Sequence, residues 1–90
     1  MIEPEVNDMI KEEIRSISLQ RAAAFFREQE DVTEESANVF LFRSCRIVLN
    51  ETKTRGVGIL AAKRLHLRME GEDTDVETIY HRFFVQFLSM

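Results

Sequence analysis

The 90-residue chain has one cysteine, one proline, three glycines, one tyrosine, two histidines and no tryptophan. A lone Cys45 forms no internal disulfide, and His66 and His81 have no third ligand at metal spacing, so neither a disulfide scaffold nor a zinc site is available. No apolar run approaches the roughly 18 residues of a membrane helix. The acidic start, Met1 to Asp8, lacks the basic and apolar segments of a secretory signal. These absences predict a soluble protein of a reducing intracellular compartment, cytoplasmic or nuclear. No nucleophile stands beside a base and an orienting group, and no cofactor motif is present, so no catalytic residue, metal ligand or cofactor is assigned. Cys45 sits in the most apolar segment, where a thiol is inert core. The carboxylates from Glu70 to Glu77 do not make an EF-hand loop, because Thr78 and Phe84 occupy the positions that need glycine and glutamate. Asn50-Glu51-Thr52 fits the glycosylation pattern, but without a secretory signal it never meets that machinery.

What is present is a globular composition, 44% hydrophobic and 31% charged, in 10.6 kDa. That mass predicts a single domain over residues 1–90. A chain this short buries only about 60 to 65% of its unfolded surface, so a partner that covers more of it adds stability. The net charge of −4 conceals three blocks. Residues 1–42 carry four Lys/Arg against ten Asp/Glu, residues 43–68 carry seven against one, and residues 69–90 carry one against five. Such blocks either neutralise one another or leave the central one for an anionic partner.

Local patterns point to helices, and the expected fold class is all-α with three to four of them. Pro4 and the acidic residues around it suit a helix start. Val6, Met9, Ile10, Ile14, Ile17 and Ala24 then recur at three- and four-residue steps, which predicts a helix from Pro4 to Gln29 that bends or breaks near Ser16 and Ser18. Thr33, followed by Glu34 and Glu35, reads as the cap of a second helix that carries Val39 to Leu49. The same apolar run suits strands, so the alternative is an α+β fold with a hairpin around residues 45–61, Asn50 to Arg55 forming its loop. Gly56-Val57-Gly58 marks a turn, a kink or a close backbone contact. Leu65 to Met69 fits either a helix or an alternating strand. Thr74 and Glu77 form a capping box, and Val76, Ile79, Tyr80, Phe83, Phe84 and Phe87 make one wide face of a helix from Asp75 to Leu88.

Arg68 followed seven positions later by Asp75, the loop-like Asp31 to Ala37, and the apolar helix from Val76 to Phe87 together resemble the histone fold, specifically its small centromere-associated subunits, over residues 14–88. The resemblance implies a long central helix, a structural Arg68–Asp75 pair and obligate pairing of chains. Both loops that touch DNA in that family are acidic here, which argues against DNA packaging.

The expected function is therefore that of a non-enzymatic protein–protein interaction module, a small helical subunit that dimerises or pairs with another subunit. Its interface is expected at Ile10, Ile14, Ile17, Phe40, Val48, Phe83 and Phe87. The alternatives are a nucleic-acid-associated protein using Arg55, Lys63, Arg64 and Arg68 from the basic block over 43–68, and a small regulatory or enzymatic domain.

Overall fold

The computed structural model describes residues 8–53 and 63–87. The order of elements is β1 (Asp8–Arg15), α1 (Leu19–Glu28), β2 (Val32–Ser36), β3 (Val39–Phe42), β4 (Cys45–Lys53), β5 (Lys63–Glu72) and α2 (Asp73–Phe87). The five strands form one antiparallel sheet in the order β1-β5-β4-β3-β2, and the fold is α+β, not all-α. The long central helix that the histone resemblance implied is absent, because its residues from Val32 to Lys53 are three strands.

Alternation explains those strands. In β4, Cys45, Ile47 and Leu49 are buried while Arg46 and Asn50 are exposed, and β5 buries Leu65, Leu67 and Met69 between exposed or half-buried polar residues. A helix would scatter these residues around its circumference, whereas a strand gathers them on one face. The expected cap at Thr33 forms no helix: Thr33 lies opposite Leu41 in the β2–β3 ladder. The hairpin alternative placed two strands over residues 45–61. The observed pair is Cys45–Lys53 with Lys63–Glu72, and Arg55 and Gly56-Val57-Gly58 lie outside the described residues.

The expected first helix divides in two. Ser18 accepts a hydrogen bond from the Arg21 amide and caps α1, so the break falls at the serines, and the residues before it form β1. The last helix runs close to its expected span, although Thr74 does not cap it. The Thr74 amide instead donates to the Asp73 carboxylate at 2.7 Å.

Both helices pack on one face of the sheet. Phe26 stacks on Phe83 at a centroid distance of 5.8 Å with the rings 6° from parallel, and packs on Phe40 at 5.6 Å. Ala22, Ala23, Ile79 and Val76 complete this layer over Phe42, Ile47, Leu49, Leu65 and Leu67. Phe40 and Phe83, expected at an interface, are thus enclosed in the core.

A polar latch ties the β3–β4 turn to the start of α2. The Ser44 hydroxyl donates to the Asp75 carboxylate at 2.7 Å and accepts from the Glu72 amide at 3.0 Å, while the Ser44 amide also donates to Asp75 at 3.2 Å. The Ser44 hydroxyl, then its amide and the Arg43 guanidinium, hold the Asp75 carboxyl below its usual range. A carboxyl lowered in the folded state stabilises the fold fully above its unfolded pKa and loses that contribution as pH falls through the lower folded value. Asp75→Asn is therefore expected to lower the thermal midpoint at neutral pH. It should also flatten the fall in stability below about pH 4, the unfolded pKa of an aspartate, as measured by thermal melts across a pH series. An unchanged acid limb would show that Asp75 contributes nothing to it.

Candidate interaction surface

Strand β1 is turned the unexpected way. Its burial alternates with period two, and the residues facing the helices are Met9, Lys11, Glu13 and Arg15. Ile10 and Ile14 point to the other side, which no described helix covers, and remain 56% and 52% exposed. Slipping a strand by one residue exchanges its two faces, and such a slip here would hide both isoleucines and expose Lys11, Glu13 and Arg15 while turning Asp8 and Glu12 inward. The observed register does the reverse.

The inward charges are held by one phenol and by one another. The Tyr80 hydroxyl donates to the Glu13 carboxylate at 2.8 Å, and the Arg15 guanidinium donates to the same carboxylate at 3.0 Å. The Lys11 ammonium lies 4.0 Å from the centroid of the Tyr80 ring, a cation–π contact. Burial first, then the Glu13 carboxylate, raises the Tyr80 phenol above its ordinary value, so it stays a neutral donor. Phe84 packs beside Tyr80 at 6.3 Å and stays 39% exposed. Three of the four large exposed hydrophobics among the described residues, Ile10, Ile14 and Phe84, therefore lie along β1 or on the flank of α2 next to it.

The open face of the sheet carries both signs of charge, Arg46, Arg64 and Arg68 with the carboxylates Asp8, Glu12, Glu35, Glu70 and Glu72. Arg46 pairs with Glu35 at 3.1 Å and Arg68 with Glu70 at 3.4 Å, while His66 contacts Glu12 from β1. Between them lie Val39, Leu41 and Val48, half-buried. Such exposed pairs contribute little stability each, about 0 to 1 kcal/mol, and they occupy Arg46 and Arg68 with carboxylates.

Of the residues expected at an interface, the structure thus brings Ile10, Ile14 and Val48 to the uncovered side of the sheet. Ile17 and Phe87 are half-buried against the core, Phe87 packing on Phe25 at 5.6 Å and on Phe83 at 5.0 Å. From the basic block, Lys63 contacts Glu51 at 3.6 Å, Arg64 is exposed on β5 and Arg68 pairs with Glu70. Asp75 is engaged by Ser44 and Arg43 rather than by Arg68. Sequence reasoning missed Lys11, Glu13, Arg15 and Tyr80, since inward charges on an edge strand have no periodic signature. The lone tyrosine in an otherwise phenylalanine-lined helix face was the available signal.

Cys45 is fully buried, and burial pushes its thiol up to about 11. It should react with a thiol reagent only as fast as the protein opens, with full reaction in denaturant. Rapid labelling of the native protein would show that the β3–β4 corner opens easily. Among the described residues no group of three or more His, Cys, Asp or Glu side chains is placed to hold a metal ion, and no helix is long and apolar enough to cross a membrane. No family model, curated protein or solved structure matches this chain.

Proposed function

We propose that this protein is a non-enzymatic interaction module that joins another polypeptide along the β1 side of its sheet. The observation that supports this most is the orientation of β1, which presents Ile10 and Ile14 to solvent and turns Lys11, Glu13 and Arg15 inward. Exposed apolar groups gathered in one place characterise surfaces that a partner covers. The test is the mass of the particle the protein occupies in extracts of its own cells, compared with an Ile10→Lys, Ile14→Lys double variant of unchanged circular dichroism. The native chain is expected in a particle at least twice its own mass, and the variant at the mass of one chain. A native chain that migrates alone overturns the reading.

A second reading follows from the placement of Arg46, Arg64 and Arg68 on a single sheet face, where they form a candidate contact for phosphates. Filter binding at two salt concentrations tests it, since a phosphate-driven contact weakens steeply with salt. Glu35 and Glu70, paired to Arg46 and Arg68, weigh against it.

A further inference from the structure

The two edges of the sheet are not alike. Strand β2 is five residues long, carries Glu34 and Glu35, and shifts register between Glu34 and Ser36. Short or bulged edges and inward charges are how proteins prevent further strand pairing; β1 also carries inward charges, Lys11, Glu13 and Arg15, but of both signs, so a strand of matching order can pair with them. Strand β1 is eight residues long, keeps one unbroken register with β5 from Asp8 to Arg15, and among the described residues is paired on that side only. Its outer backbone groups form a template for another strand.

From the order of side chains along this edge, we infer that the strand it takes is β1 of a second copy, antiparallel, with Glu12 on the two-fold axis. The inference rests on the proposed interaction role and names its partner. Two identical antiparallel strands joined about an axis normal to the sheet place residues equidistant from the centre opposite each other, on the same face. Centring on Glu12 sets Ile10 against Ile14 of the second copy, twice, on the open face. It sets Lys11 against Glu13 of the second copy, twice, on the helix face. Cross-strand apolar and opposite-charge pairs are the favourable ones. Centring on Lys11 instead sets Ile10 against Glu12 and Ile14 against Asp8, and centring on Glu13 sets Lys11 against Arg15; the Glu12 centre sets Met9 against Arg15 but pairs both isoleucines with each other. Centring on Ile14 matches Glu13 with Arg15 but leaves Ile10 uncovered. The Glu12 centre is the one that covers both isoleucines while matching charge.

The like charges this puts on the axis are drawn aside within each copy, because Glu12 contacts His66 and lies opposite Arg68 in the β1–β5 ladder. The same axis leaves both α2 helices on one side of a continuous ten-stranded sheet, with Tyr80 and Phe84 of each copy flanking the seam.

Sedimentation equilibrium of the purified chain is expected to give a dimer, and the Ile10→Lys, Ile14→Lys variant a monomer. Cysteine cross-linking reads the register, and buried Cys45 does not interfere. Under mild oxidation Glu12→Cys should link to itself, and Ile10→Cys should link to Ile14→Cys when the two are mixed. Ile14→Cys alone should stay unlinked, because its equivalents are then separated by more than the roughly 7 Å limit for a disulfide. A monomeric purified chain overturns the second copy as partner. It leaves the interaction role standing if the chain still occupies a larger particle in its own cells. A dimer in which Ile14→Cys links to itself and Glu12→Cys does not overturns the Glu12-centred pairing.

Discussion

Phe83→Ala is expected to remove about 3 to 5 kcal/mol of stability, the range for deleting a buried aromatic side chain. Phe83 is fully buried and touches Phe25, Phe26, Tyr80 and Phe87, with ring centroids between 5.0 and 6.4 Å away. It is the point at which α2, α1 and, through Phe26 and Phe40, strand β3 meet. The alanine variant leaves a cavity between the two helices, at the ring that also reaches the sheet through Phe26, and leaves Phe25 against Phe87 as the remaining aromatic contact between them. A domain of this size has only about 5 to 13 kcal/mol to lose, so its thermal midpoint should fall by at least about 12 °C. Phe84→Ala, one residue away on the exposed side of the same helix, serves as the control and should change the dilute protein little. Denaturant titration of both variants checks the expectation. Equal losses from the two would mean that α2 does not bury the face described.

The second large effect is expected at Gly71, from crowding. An added Cβ would lie 2.6 Å from the Ser44 carbonyl oxygen, 2.8 Å from the Cys45 Cα and 2.9 Å from the Ser44 carbonyl carbon. All three are backbone atoms of the neighbouring corner, so no rotamer change relieves the clash, and the φ of +158° is itself one that side-chain-bearing residues rarely adopt. Moving Ser44 away also pulls it from Asp75 and from the Glu72 amide, which it bonds at 2.7 and 3.0 Å. Gly71→Ala should therefore cost about 2 to 4 kcal/mol, more than Ser44→Ala, which loses the hydroxyl but keeps the backbone in place. Chemical denaturation of both variants provides the comparison. A Gly71→Ala protein as stable as the parent would show that β4 and β5 do not approach as closely at this end.

Several parts of this arrangement were legible in the residues. The Ala22 to Phe26 run and the aromatic face from Val76 to Phe87 lie in the two helices, Ser16 and Ser18 mark the break before α1, and Cys45 is core. The strands were hidden for identifiable reasons. The turns that define the β2–β3 and β3–β4 hairpins are Ala37-Asn38 and Arg43-Ser44, with Asn38 and Arg43 at φ of 62° and 54°. Neither contains the glycine that usually signals such turns. The Arg43 guanidinium lies 3.5 Å from Asp75 and 4.8 Å from the centroid of Phe42, contacts that carry no local turn signal in the sequence. In β1, Ile10 and Ile14 are four apart, a spacing that fits one face of a helix and equally one face of a strand.

By itself, then, the order of amino acids determined how much apolar material must be hidden, where two helices lie, and that its single thiol belongs inside. Those are local or additive properties, set by composition and by residues within a few positions of one another. Only the tertiary structure decided that the middle of the chain is a sheet and which way β1 faces. The middle strands pair through hairpins whose turns lack the usual glycine, and the pairing that orients β1 is settled between residues some fifty positions apart, as between Ile14 and His66. The Tyr80 phenol that donates to the Glu13 carboxylate reaches it from the last helix.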